Sequence, residues 1–339
     1  MHGRVSNPGE STDPRILVRQ LARFREPDSA RSVIELLVTA IPFAFFWVLT
    51  CVAVDAGYWL GLLFAIPAGA FLLRLFLIQH DCGHGAFFPR RSANDWVGRV
   101  LGLLTMTPYD YWKRSHALHH ATTGNLGARG VGDVDTLTVR EYRSRPRGKQ
   151  FLYRVYRHPL LLLGLGPAYL FLLRHRLPIG MMRDGWRPWA SAMATNAGIL
   201  VLAAVAIWQV GVATFLIVHL PITLIAASIG VWLFYVQHQF EHTLWDSDED
   251  WSFHEAALHG SSHYVLPGVL RWFTANIGVH HVHHLASRIP YYRLPEVLRN
   301  HPELEEVGRI TMRESIGALR LVLWDEEKRR LVSFREATV

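Results

Sequence analysis

The segment NIGVHHVHH, Asn276 to His284, packs four histidines into five residues. Folding alone does not ask for this, because histidine is a mediocre helix former and is costly to bury when charged. Two more clusters stand earlier in the chain. His80-Asp81-Cys82-Gly83-His84 sets two histidines at i and i+4, and His116-Ala117-Leu118-His119-His120 sets three at i, i+3 and i+4. His280, His283 and His284 repeat the spacing of the second cluster. Residues three and four apart share a helix face, so each cluster aims two or three imidazoles at one point. His281 lies about 100° around the wheel from His280 and is the odd one out.

His238 is a ninth candidate, followed by Glu241 at i+3 and His242 at i+4. Any of the three could face the metals; His238 is the favoured ligand, with Glu241, and His242 beside it, as candidates behind the ligands, Glu241 accepting an imidazole N–H. Asn276, four residues before His280, could hold a metal-bound water. Nine imidazoles are too many for one tetrahedral zinc and suit two five- or six-coordinate ions sharing a site. Imidazole accommodates zinc, copper, iron and nickel, and Cys82 at i+2 from His80 points away from them. A nitrogen-rich pair with few carboxylates suits iron in high oxidation states. Two irons with O2 can take hydrogen from an unactivated methylene, which no acid–base residue does. His158, His175 and His301 read as interfacial residues, His254, His259 and His263 as loop residues, and His219 as a packed neutral ring.

The elements that must bring these residues together are apolar runs. Half of the 339 residues are hydrophobic and the mean hydropathy is +0.13. The apolar residues gather into four stretches, about 33–54, 57–79, 189–208 and 212–236, each long enough to cross a bilayer. The turns within each pair are short, which predicts two hairpins. Glu35 and Arg74 lie near span ends and are expected to reach the lipid–water interface. Residues 1–31 carry six arginines, residues 80–187 carry 17 Lys or Arg and residues 237–339 carry 11, while the two hairpin turns carry none. This places every basic segment on one side, the cytoplasmic one. Leu160 to Leu173 would span only roughly 21 Å as a helix, short of a ~30 Å core, so it is read as interfacial or packed on protein. Val97 to Met106 is read likewise. From about Leu294 the tail is polar, and Ile316, Leu319 and Leu323 at helical spacing predict a cytoplasmic helical cap.

The expected architecture is an all-α integral membrane protein with four transmembrane helices in two hairpins and a cytoplasmic cap holding a dimetal site. Residues 1–32 form a cytoplasmic segment, 33–300 the membrane domain with its loop at 80–188, and 301–339 a cytoplasmic tail. The N-terminal residues lack signal-peptide design, so the first span is expected to be retained. The formal charge of +7 flanks the apolar runs, which argues against nucleic acid. No heme, flavin or iron–sulfur pattern occurs, so electrons are expected from a separate donor. The basic cytoplasmic surface suits an acidic redox partner or anionic headgroups. The nearest rival readings are a lipid or carotenoid hydroxylase or ketolase on the same metal pair and, more remotely, a histidine-rich metal transporter.

HDCGHGAFF at 80–88, WKRSHALHH at 112–120 and HHVHH at 280–284 resemble the three histidine boxes of the membrane fatty acid desaturase family. GNLGARGVGDVDTLTV (124–139), FYVQHQFEHTLW (234–245) and GSSHY (260–264) are similar to the bacterial branch related to Δ12 (omega-6) acyl desaturases. The resemblance implies ligands His80, His84, His116, His119, His120, His280, His283 and His284, with His238 as the extra ligand outside the boxes. It implies two irons, O2 as co-substrate, and a double bond inserted into a fatty acyl chain. It also implies a ferredoxin-, rubredoxin- or cytochrome b5-like donor with its reductase, and a plasma-membrane location with both termini cytoplasmic.

Overall fold

The computed structural model describes residues 14–130 and 132–338, so expectations for residues 1–13 lie outside the described residues. Four helices are long and apolar enough to cross a membrane: Ser29–Asp55, Trp59–His84, Trp186–Val210 and Val212–His238. They cover the four predicted runs apart from Gly57 and Tyr58, which precede the second helix, and mostly extend beyond them. Asp28 starts the first, its carboxylate accepting the Arg31 N–H at 3.0 Å as an N-cap does. The second opens with a tight turn at Trp59–Phe64 and continues as α-helix Ala65–His84. It stops at Gly85, whose φ of 66° lies in the left-handed region that glycine adopts freely. The second helix therefore carries His80 and His84 on its last turns. It packs against the first and fourth helices and is the most buried of the four.

Glu35 and Arg74 correct an expectation. Neither reaches an interface; both are buried and pair with each other. The Tyr291 hydroxyl donates to Glu35 at 3.1 Å, and the Arg74 guanidinium lies 4.0 Å from the Trp272 ring centroid. A buried charge needs a partner. Here a neighbouring helix supplies it, and headgroups do not.

Leu160 to Leu173 is an irregular helix, with wide turns at Leu161–Leu165 and Tyr169–Leu173 around Gly166–Ala168. It packs on the fourth long helix and leaves Leu160, Leu165, Tyr169 and Leu173 exposed. Most of Val97 to Met106 lies in helix Arg91–Leu104, against the second long helix.

The all-α expectation also needs correction in the tail. Leu323–Asp325 pairs in parallel with Leu137–Thr138 and antiparallel with Arg330–Val332. Arg309–Thr311 pairs in parallel with His263–Val265. The helix Met312–Ala318 ends before Leu319, Ile316 is exposed, and Leu323 lies in a strand. At Leu323 the helical spacing is overridden by strand pairing with Leu137, far back in the sequence, and with Val332. The chain is mostly helical, with two small sheets, of which the pair His263–Val265 and Arg309–Thr311 packs on the helices that carry His238 and His280.

Candidate metal centre

A different element places each histidine cluster. His80 and His84 end the second long helix, and His238 is the last residue of the fourth. His116, His119 and His120 ride on helix Tyr109–Thr122. Two contacts bind this helix to the first cluster. The Tyr109 hydroxyl donates to the Cys82 carbonyl at 2.9 Å. The Trp112 indole lies so close to Gly83 that a Cβ there would come within 2.9 Å of the ring, and it stacks on His116 at 4.7 Å. His280, His283 and His284 sit on the short helix His280–Leu285. It hangs from the Ser262 carbonyl, which accepts the His280 and His281 N–H groups at 3.1 and 3.3 Å.

These elements bring nine imidazoles together in two groups. One holds His80, His84, His116, His120 and His283; the other holds His119, His238, His280 and His284; within each, the ligand atoms lie within 4.8 Å of one another. Every cluster contributes to the first group, and the second draws on the last two clusters and His238. The groups adjoin, since His120 of one stacks on His284 of the other at 4.0 Å with planes 10° apart.

The nitrogens converge as ligands do. Nε2 atoms of His84 and His116 are 3.0 Å apart, and those of His116 and His120 are 3.1 Å apart. In the other group, the Nε2 of His238 lies 3.2 Å from that of His119 and 3.1 Å from that of His280. A metal–nitrogen bond of about 2.1 Å with neighbouring ligands at right angles gives an edge of about 3.0 Å. A neutral imidazole nitrogen is one donor or one acceptor, so a single Nε2 facing two others leaves a lone pair against a lone pair. The His283 Nε2 is buried with no hydrogen-bond partner. A shared cation satisfies all of these atoms at once, so the residues fit a pair of metal ions with nitrogen ligands.

Three groups orient the rings from behind. The Nδ1 of His80 contacts Asp81 at 3.3 Å, that of His119 contacts the Asp133 carboxylate, and that of His238 contacts the Gly260 carbonyl at 3.2 Å. Engaging Nδ1–H in this way leaves the Nε2 lone pair free for a metal. Burial, then the neighbouring imidazoles, hold His116, His120, His280, His283 and His284 well below the ordinary histidine range, so these rings are neutral.

The structure leaves other candidates outside. The fourth long helix ends at His238, so Glu241 and His242 do not share its face. Both are exposed, and Glu241 accepts from Arg330 at 3.1 Å; this corrects its expected role behind a metal ligand. Asn276 has a φ of 53° and precedes the start of its cluster's helix, so it is not one turn below His280. Its amide donates to the Tyr291 carbonyl at 3.1 Å. His281 faces away, its Nε2 on the Leu304 carbonyl at 2.9 Å. Cys82 is buried and belongs to neither group. Sequence reasoning missed Asp81 and Asp133. Asp81 had a signal, since it lies inside a cluster beside His80; Asp133 lies in a loop beyond the second cluster at no characteristic spacing.

A cavity of about 320 Å³ leads away from the histidines. His80, His116, His119 and His280 line it, and Leu72, Leu73 and Phe76 of the second long helix form one wall. Thr223, Ala226, Ala227 and Gly230 of the fourth form another. Thr223 precedes His238 by fifteen residues, roughly 22 Å along a helix.

Residues 56–315 match the family model described as fatty acid desaturase. The chain is 44% identical over 319 residues to a Bacillus subtilis protein named fatty acid desaturase, covering 94% of this chain and 90% of that one. It is 27% identical over 243 residues to a Synechocystis sn-1 acyl-lipid omega-3 desaturase (ferredoxin), covering 68% of this chain and 64% of that one. An Arabidopsis thaliana acyl-lipid omega-3 desaturase (cytochrome b5) of the endoplasmic reticulum is 24% identical over 265 residues, covering 74% and 66% respectively.

Proposed function

Because the chain belongs to the fatty acid desaturase family, we propose that its two imidazole groups each hold one iron and that it is an O2-dependent acyl desaturase. The observation that carries this reading is the division of nine imidazoles into two adjoining groups beside a long apolar cavity. His80, His84, His116, His120 and His283 would hold one ion; His119, His238, His280 and His284 would hold the other. When bound, the iron pair supplies O2 activation which, with two electrons, removes two hydrogens from a CH2–CH2 unit and leaves a double bond.

The chain's own residues do the rest. Asp81, Asp133 and the Gly260 carbonyl keep three rings in the tautomer that offers Nε2. The walls from Leu72 to Phe76 and from Ala226 to Gly230 bind the acyl chain, exclude water and hold one methylene pair beside the histidines. The Synechocystis and Arabidopsis relatives are named for ferredoxin and cytochrome b5, and a small carrier of that kind, with its reductase, is the electron donor we infer here. The basic residues flanking the spans support a plasma-membrane protein with its centre and both termini cytoplasmic. We take residues 33–300 as the membrane domain, with 1–32 and 301–339 as its flanks. The motif resemblance supports a Δ12-like position for the double bond, whereas two of the relatives are named for omega-3.

Expression in a host of defined fatty acid profile, followed by mass spectrometry of double-bond position, tests the reading. A new double bond is expected. New oxygen on the acyl chain would make the protein a hydroxylase or ketolase, and an unchanged lipid profile would refute it.

A further inference from the structure

The cavity lining holds one carboxylate, Asp133, and one guanidinium, Arg174. Asp133 is engaged by His119. Arg174 is half-buried and, among the described residues, its side chain makes no ion pair, hydrogen bond or cation–π contact, while its charge is felt by the Tyr111 phenol and by His175. Its neighbours differ. Arg176 donates to Asn196 at 2.8 Å and to the Met106 carbonyl, and the Arg157 guanidinium is spent on Gln239, Tyr235 and the Leu321 carbonyl. Beside Arg174, His175 also lines the cavity, is buried, and has an Nδ1 with no hydrogen-bond partner. A guanidinium without an anion and a buried imidazole nitrogen without a partner, side by side on one cavity wall, are an incomplete anion site.

The depth of this site indicates the anion. Arg174 directly follows Leu160–Leu173, which leaves Leu160, Leu165, Tyr169 and Leu173 exposed, and an exposed apolar face ending in a basic residue is how an interfacial segment meets a headgroup layer. The anion of that layer is phosphate. Resting on the acyl reading of the cavity, we infer that Arg174, with His175 beside it, holds the phosphate of the lipid that carries the acyl chain. The carrier is then a glycerophospholipid, and Arg174 is a specificity-determining residue that sets how far the chain enters. An uncharged glyceride would lack this anchor; a free fatty acid would offer a carboxylate in its place, and acyl-CoA a phosphate from the aqueous side.

Native mass spectrometry of the purified, iron-loaded protein tests this with phosphatidylglycerol, diacylglycerol of the same chains, and acyl-CoA. Arg174→Gln should retain phosphatidylglycerol about tenfold more weakly, the loss of one charge-assisted pair. Arg174→Lys should recover much of it, and diacylglycerol should bind both variants and the wild type alike. Turnover of phosphatidylglycerol-borne chains by Arg174→Gln should show a raised KM and a double bond spread over more than one position, with iron content unchanged. Equal retention of phosphatidylglycerol by wild type and Arg174→Gln would overturn the assignment, as would an equal loss of diacylglycerol. An Arg174 effect confined to acyl-CoA would overturn the headgroup as the source of phosphate. If phosphatidylglycerol retention depends on Arg174 but wild type forms no double bond, the desaturase reading fails and the phosphate site stands.

Discussion

A carboxylate behind a ring matters as much as the ring itself. Asp133 contacts His119 from a loop, and with Asp81 it fixes which nitrogen each imidazole presents. Asp133→Asn keeps the shape and removes the charge; activity should fall about 10- to 100-fold while the protein stays in the membrane, read by double-bond formation per iron. Burial makes this region sensitive to acid. His281, buried and next to His263, and His175, buried beside Arg176, are each lowered to about 3. Their folded values lie below the ordinary value of about 6.5, so below pH 6.5 the unfolded chain takes up protons that the fold refuses. The stabilisation is therefore complete above pH 6.5 and declines toward pH 3, by about 1.4 kcal/mol per pH unit for each such histidine. The melting midpoint of the metal-free protein should drop between pH 7 and pH 5; a flat midpoint would contradict the neutral, buried state. The nine imidazoles were legible in the sequence because three- and four-residue spacing is a local signal. Asp133 was not, because its partner stands fourteen residues away across a loop that has no fixed period.

At the scale of elements, the join between the first two clusters rests on small contacts. Gly83 leaves room for Trp112, which in turn stacks on His116. Gly83→Val would force the indole and the second cluster's helix apart. Overpacking of this kind costs about 1–3 kcal/mol. The expected result is metal lost first from the five-histidine group, which takes His80, His84, His116 and His120 from the two parted helices, with the four-histidine group, which takes only His119 from them, weakened less, measured as metal per chain. The long helices were legible because hydropathy over twenty residues marks them whatever they pack against. The tail was not, because Leu323 takes its strand conformation from Leu137 and Val332, and no local pattern announces such partners.

The whole molecule is held around a buried polar spine. Arg31 and Arg74 both pair with Glu35, and Tyr291 links that pair to the first cluster, since its hydroxyl donates to Glu35 and its N–H donates to Asp81 at 2.7 Å. Sequence alone sent Glu35 and Arg74 to the interface, because partners on separate helices cannot be matched from one chain's hydropathy. Arg74→Met should destabilise the protein by about 3–5 kcal/mol by leaving Glu35 short of charge. Adding Glu35→Gln should recover much of that in a thermal melt. The central claim concerns stoichiometry: nine imidazoles from separate stretches of chain hold two ions, not one. Iron per chain, measured on the purified wild type, on His283→Ala and on His238→Ala, tests it directly. Two ions are expected in the wild type and about one in each variant, one from each group. A single ion in the wild type, or two ions retained by both variants, would contradict it.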